Sequence, residues 1–113
     1  MDNLEKIPPQ NLEAEQSLLG SILIDKDSMV KIADEIDGDD FYKNAHRDIF
    51  LAMQELYTKN EPIDLLTLSA RLEEKGLLEQ IGGRGYLAGL STVVPTSSHI
   101  EQYATIVRRK STL

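Results

Sequence analysis

Between Asn44 and about Lys59, the apolar residues Ile49, Phe50, Met53, Leu56 and Tyr57 fall at i, i+1, i+4, i+7 and i+8, a stripe that an α-helix gathers onto one face. Asp48, Gln54 and Glu55 take the side turned to water. The same period returns along the chain. Leu12, Leu19 and Leu23, with Leu18 and Ile22 on the adjoining row, predict a helix from about Leu12 to Leu23. Met29, Ile32, Ala33 and Ile36 predict a second, starting near Asp25 or Asp27. Leu65, Leu68 and Leu72 form another row, and Ile100, Tyr103, Ala104 and Val107 define a last amphipathic helix. No stretch alternates apolar and polar residues with β-branched and aromatic enrichment, so no strand is expected. The fold class is all-α, a small orthogonal bundle of about six helices. A chain of 113 residues fits one domain, which buries roughly two thirds of the surface its unfolded form exposes.

The breaks between stripes are chemically explicit. Met1 to Lys6 reads as a flexible N-terminus, and Pro8-Pro9 as an extended approach to Asn11, a helix cap. Asp37-Gly38 closes the second helix, with glycine in the left-handed conformation. Phe41-Tyr42, after Asp39-Asp40, anchors a short turn against the core. Asn60-Glu61-Pro62 breaks the Asn44 helix, Asp64 caps the next, and Gly76 terminates that one. A short helical turn at Leu77 to Ile81 precedes Gly82-Gly83-Arg84-Gly85, and Tyr86, Leu87 and Leu90 lie on a brief helix. Val94-Pro95-Thr96-Ser97-Ser98 is a loop ending in hydroxyl caps. Lys110-Ser111-Thr112-Leu113 has neither Gly nor Pro, so the last helix reads as cut rather than closed, as in a piece of a longer protein. The expected organisation is a flexible segment at 1–6, a globular helical domain at 7–97 and the first helix of a hairpin or linker region at 98–113.

Composition excludes several functions. Twelve Lys plus Arg against nineteen Asp plus Glu gives a net charge of -7, which repels a phosphate backbone and disfavours direct DNA binding. The longest apolar runs fall far short of the ~20 residues that span a bilayer, and the acidic, polar N-terminus is unlike a secretory signal. With no cysteine, disulfides and thiolate metal sites are absent, compatible with a cytoplasmic location.

No catalytic, cofactor or metal motif survives inspection. Gly83-Arg84-Gly85-Tyr86-Leu87-Ala88 matches a relaxed dinucleotide pattern, with Glu101 near the spacing of a ribose-binding acid, but a helical segment precedes it in a chain without a sheet. No glycine is followed by lysine, so a Walker A loop is missing. The serines form no G-x-S-x-G elbow. His46 and His99 lack zinc-site spacing, and each stands at the start of a helix, where capping or surface roles fit better than metal ligation. Asp37, Asp39 and Asp40 lack the bidentate Glu of a calcium loop and read as a solvated turn. Arg108-Arg109-Lys110 complements a helix C-terminus and is too short to claim a DNA site.

The order of several blocks is more informative. Pro8-Pro9-Gln10-Asn11-Leu12-Glu13-Ala14-Glu15 with Leu18-Leu19-Gly20-Ser21 resembles the start of bacterial DnaB-type replicative DNA helicases. Asp40-Phe41-Tyr42 with His46, Ile49-Phe50 and Ala52-Met53 resembles the family's next block, and Pro62-Ile63-Asp64 with Thr67 the one after. Gly82-Gly83 with Tyr86-Leu87, Val94-Pro95-Thr96, Ile100, Tyr103-Ala104 and Ile106-Val107-Arg108 complete a series covering nearly all of Ile7 to Leu113. His99 stands where the family commonly has Asn, and the RecA-like ATPase domain with its Walker motifs is not in this sequence.

The resemblance implies a helical N-terminal domain that pairs with copies of itself, forms the collar of a hexameric ring and recruits the C-terminal domain of primase, with a helicase loader as a further partner. ATP and Mg would serve the parent's ATPase domain, so this chain is expected to need no cofactor and to show no enzymatic activity. Protein-interface candidates are Tyr86, Ile100, Tyr103, Ile106 and Val107. An aromatic beside a glycine-rich turn can present a large apolar body with a polar tip, although a tyrosine there can equally pack in the core. The competing classes are a free-standing helical DNA-binding or adaptor module, which in the DNA-binding case needs a basic stripe, and a small enzyme using carboxylates, which needs them paired in an apolar pocket.

Overall fold

The computed structural model describes residues 9–93 and 99–112, with side chains described for 11–93 and 99–108. Expectations for Met1 to Lys6, Pro8 and the Val94–Ser98 loop lie outside the described residues. Six α-helices follow in order: α1 (Pro9–Ile24), α2 (Ser28–Ile32), α3 (Asn44–Thr58), α4 (Leu65–Glu74), α5 (Gly83–Leu90) and α6 (Ile100–Thr112), with a 3-10 turn at Gly38–Asp40 between α2 and α3. No strand occurs among the described residues, and the all-α expectation holds.

Helix α1 begins at Pro9, earlier than the Asn11 cap suggests. Proline fits the first turn, where its missing N–H has no helical acceptor to lose. Three closures share one geometry. Asn60 (φ 58), Gly76 (φ 74) and Gly82 (φ 115) are left-handed, and the next amide in each case bonds five residues back: Glu61 to Leu56, Leu77 to Leu72, Gly83 to Leu78. These are Schellman-type ends, so the Asn60 and Gly76 stop signals act as expected. Leu77–Ile81 is a single helical turn, as expected, closed by the Ile81 N–H donating to the Leu77 carbonyl. Asp64 caps α4 by accepting from the Thr67 amide at 2.9 Å, while Thr67 Oγ1 accepts from the Asp64 amide at 3.0 Å.

Two expectations are corrected around Gly38. Helix α2 spans only five residues, and Ile36, although buried, sits in the turn that follows. Gly38 is not left-handed. It is buried beneath α3, where an added Cβ would lie 2.9 Å from Leu51 Cδ2. The acidic cluster closes on itself: the Asp37 carboxylate accepts from the Asp39 amide at 3.0 Å, and Asp40 Oδ2 from the Asp37 amide at 2.9 Å. Phe41 is buried and stacks tilted on Phe50 at 5.1 Å, but its neighbour Tyr42 stays exposed. Tyr57, grouped above with the α3 core stripe, is also largely outside.

Helix α1 is the centre of the packing, touched by α2, α3, α5 and α6, while α4 bridges α3 and α5. Leu18, Leu19, Ile22, Ile49, Phe50, Met53, Leu68, Leu72 and Leu87 lie in one continuous core. The closest approach is made at Gly20, where a Cβ would stand 2.2 Å from the Leu90 carbonyl oxygen, so only glycine lets α1 meet the end of α5. Between α3 and α4, Arg71 reaches Glu55 at 3.5 Å and Glu61 at 3.4 Å, and Lys75 holds Glu55 at 2.6 Å.

Candidate interaction site

Two core stripes contain a polar residue where an apolar one is expected. On α1, Glu15 stands at i to Leu18, Leu19 and Ile22 at i+3, i+4 and i+7, and on α3 His46 stands in the same relation to Ile49, Phe50 and Met53. All of them are buried, with Glu15 1% exposed and His46 0%. The expectation of a capping or surface role for His46 is therefore corrected. A carboxylate removed from water carries a penalty of several kcal/mol unless partners replace its hydration.

The partners are present. His46 Nδ1 lies 2.7 Å from Glu15 Oε1 and donates to it, since a carboxylate only accepts. The Tyr42 amide donates to Glu15 Oε2 at 2.7 Å, and the Lys43 amide reaches Oε1 at 3.5 Å. These amides precede the first turn of α3, whose N-cap residue Lys43 supplies no side-chain cap. Glu15 thus caps α3 from another helix, with its negative charge at the positive end of the α3 dipole.

On its other side, His46 Nε2 accepts from the Tyr86 hydroxyl at 2.6 Å, and the two rings lie nearly parallel, 17° apart with centroids at 5.9 Å. Gln16 Nε2 donates to the same hydroxyl oxygen at 3.4 Å. The Lys43 ammonium stands 5.1 Å from the Tyr86 ring centroid, within cation-π range. Tyr86 can occupy this place because of Gly82, where an added Cβ would sit 2.8 Å from Tyr86 Cβ. The chain from Glu15 through His46 to Tyr86 joins α1, α3 and α5.

Carboxylate, imidazole and hydroxyl in that order also describe a nucleophile relay. Here the hydroxyl faces a neighbouring ring, and the grooves at the α2–α3 face and beside α4 are lined by other residues. The arrangement acts as a tie between helices. Among the described residues, no three of His, Asp and Glu gather to hold a metal. No described helix is long and apolar enough to cross a membrane.

The five interface candidates separate. Tyr86 is half-buried, with its polar tip turned inward to His46 rather than outward as the sequence suggested. Ile100 and Val107 are 0% and 1% exposed and belong to the core beneath α6, which packs along α1, so neither offers a surface to a partner. Tyr103 and Ile106 are half-buried against that core, and His99 meets the Tyr103 ring edge-on at 6.5 Å. The site brings in Glu15, His46, Gln16 and Lys43, which sequence reasoning did not single out as contacts. The signal available was a Glu and a His each heading an otherwise apolar i, i+3, i+4, i+7 row.

The sequence pattern of the family described as DnaB-like helicase N terminal domain matches residues 7–109. The chain is 44% identical over 109 residues to the replicative DNA helicase DnaB of Geobacillus stearothermophilus, covering 96% of this chain and 24% of that protein. It is 41% identical over 109 residues to the replicative DNA helicase DnaC of Bacillus subtilis (strain 168), with the same coverage of 96% and 24%. It is similar to the crystal structure of the N-terminal domain of DnaB helicase from Mycobacterium tuberculosis with a TM-score of 0.88 and 42% identity, covering 94% of this chain and 77% of that one. The chain spans about a quarter of the length of these curated relatives.

Proposed function

Because the chain belongs to the DnaB-like helicase N-terminal domain family, we propose that it is the assembly domain of a replicative DNA helicase. In this reading it associates with copies of itself in the collar of a hexameric ring, and it receives the C-terminal helical region of primase. A helicase loader is a further partner of the same assembly. ATP and Mg serve a RecA-like domain elsewhere in the helicase, and this chain's residues supply neither phosphate loop nor nucleophile. Its net charge of -7 supports contact with proteins over contact with DNA. Its place of work is the bacterial cytoplasm.

The observation that carries the primase part of this reading is the mounting of Tyr86. Its hydroxyl is fixed by His46, its flank is covered by Lys43, and part of the residue remains at the surface. An aromatic held in one rotamer loses little entropy on binding and suits the role of an anchor. Titration of the chain with the primase C-terminal region tests it. Tyr86→Ala is expected to weaken binding by about 2 kcal/mol or more, the size of an aromatic hot spot. Tyr86→Phe keeps the outward part of the ring and is expected to bind nearly as wild type at a temperature where it is folded. An alanine variant that melts lower yet binds with wild-type affinity in the cold would sink the anchor role.

A further inference from the structure

Helix α3 turns a second row outward, in which Arg47, Leu51 and Thr58 fall at i, i+4 and i+11, opposite the buried Ile49, Met53 and Leu56. With Met29 and Ala33 of α2, Leu51, Tyr57 and Thr58 line a groove of ≈ 600 Å³. Tyr57 also borders a hollow of ≈ 200 Å³ whose wall includes Val30. Val30 is 62% exposed, Tyr57 38% and Leu51 37%, so three large apolar side chains meet water along one α2–α3 surface. Apolar surface gathered in this way marks a contact site more often than scattered residues do, and a groove beside a helix suits the apolar face of another helix.

The two ends of the row carry the sign of its occupant. At the N-terminal end Arg47 is half-buried and lies over the Gly38 turn, its Cγ 3.4 Å from where a Gly38 Cβ would stand. In this pose Nε is buried without a hydrogen-bond acceptor, and the guanidinium forms no ion pair with the described residues. Asp37 and Asp40 of the turn beneath accept from backbone amides instead. A buried donor with nothing to bond is uncommon, so Arg47 loses no bond on turning outward and gains a forked pair when it meets a carboxylate. At the C-terminal end, Lys59 lines the groove and Lys26 the adjoining hollow, both exposed and without an ion pair among the described residues. Of the carboxylates in these linings, Glu55 is held by Lys75 at 2.6 Å and Glu61 by Arg71 at 3.4 Å, which leaves Asp27 open. Three open cations therefore stand against one open carboxylate on a chain whose net charge is -7. A second copy fits this row badly, because cations at both ends oppose like charges in either direction of pairing.

We propose that the outer row of α3 is a docking surface for an acidic amphipathic helix of another protein. Its apolar side chains enter the groove between α2 and α3 over Met29 and Leu51, a carboxylate at one end is taken by Arg47, and those at the other end by Lys59 and Lys26. Arg47 and Lys59 are twelve residues apart on α3 and its cap, a span of about 18 Å, so the occupant runs for about three and a half turns with acidic residues at both ends. The surface is separate from the Tyr86 site, none of whose residues lines the groove.

The test uses a synthetic helix of leucine and alanine, about four turns long with glutamate at both ends, and a counterpart with lysine in place of glutamate. Titration of the full chain is followed by amide NMR. The acidic peptide is expected to bind with a Kd below about 1 mM, to shift the amides of Ala33, Leu51 and Tyr57, and to bind at least about tenfold more tightly than the lysine peptide. Net charge alone favours the opposite order, since the chain carries -7. Arg47→Gln combined with Lys59→Gln is expected to weaken the acidic peptide at least about tenfold, with circular dichroism confirming an unchanged fold. Arg84→Gln, which removes an exposed cation on α5, is the control and is expected to bind as wild type. Tighter binding of the lysine peptide, no binding of the acidic peptide up to about 1 mM, or equal weakening by the Arg84 control each overturns the proposal. So do shifts centred on α5, which move the peptide to another face, and displacement by a single-stranded oligonucleotide, which gives the cations to phosphate. Sedimentation showing wild-type dimers that Val30→Glu dissolves gives the groove to a second copy and overturns it as well.

Discussion

Replacing Glu15 by Ala removes the acceptor of three donors at once: His46 Nδ1–H and the amides of Tyr42 and Lys43. A buried donor left without an acceptor costs about 1–3 kcal/mol. His46 is 0% exposed, so its donor takes the upper part of that range. Tyr42 and Lys43 are exposed residues whose amides water can reach more readily, and they take the lower part. Together with the lost charge at the α3 N-terminus, the expected destabilisation is about 3–5 kcal/mol, the size found when one member of a buried ionic pair is removed. A domain of this length loses roughly 4 °C of melting temperature per kcal/mol, so Glu15→Ala is expected to melt about 12–20 °C lower. Glu15→Gln keeps the shape and one acceptor oxygen but loses the charge, and about half the loss is expected.

Urea titration followed by circular dichroism reads the free energy, and the double variant with Tyr86→Phe reads the coupling. The network joins Glu15 to Tyr86 through His46, so the two changes are expected to be non-additive by about 0.5–1 kcal/mol, at the low end for residues sharing one hydrogen-bond chain. A Glu15→Ala variant within about 1 kcal/mol of wild type would falsify the assignment of this network as a tie between helices.

Three further outcomes follow from the packing. Ile100→Ala is expected to destabilise the chain by about 2–5 kcal/mol in urea titration, as for a buried aliphatic side chain; a loss of self-association without loss of stability would return Ile100 to the surface. Gly82→Ala combines a left-handed φ of 115° with a Cβ placed 2.8 Å from Tyr86 Cβ, and is expected to cost about 2 kcal/mol or more. Asp64→Ala removes the α4 cap and is expected to cost about 1 kcal/mol, measurable as a lower urea midpoint with an unchanged slope.

Much of this architecture is legible because helices are local objects. The stripe of α3 and the stops at Asn60 and Gly76 need only the period and the handedness of neighbouring residues, and the structure reproduces them except at Tyr57, which is exposed. Helix α2 is different. Ile36 belongs to the apolar pattern and is buried, yet it is carried by a turn, because burial depends on where a side chain ends and not on the backbone that delivers it. The stripe of α6 was legible as a stripe but not its partner. An amphipathic face looks the same whether it meets α1 or another molecule, and only the tertiary arrangement covers Ile100 and Val107 from within.

The polar tie was the least legible element, for a related reason. Glu15 and His46 are separated by 31 residues and His46 and Tyr86 by 40, so no local period connects them. Their presence in core rows is not explained by stability alone, since a buried ion pair is often no more stabilising than apolar residues of similar volume. What the polar groups add is direction. Apolar contact between α1, α3 and α5 tolerates small rotations and slides, whereas bonds of 2.7 Å and 2.6 Å to opposite nitrogens of one imidazole do not. The imidazole therefore fixes the rotation of α5 relative to the α1–α3 pair. With it are fixed the outward part of Tyr86 and the neighbouring exposed positions Arg84, Gly85 and Ala88. That fixed orientation, more than the last increment of stability, is what a Glu, a His and a Tyr supply at these positions and three apolar residues would not.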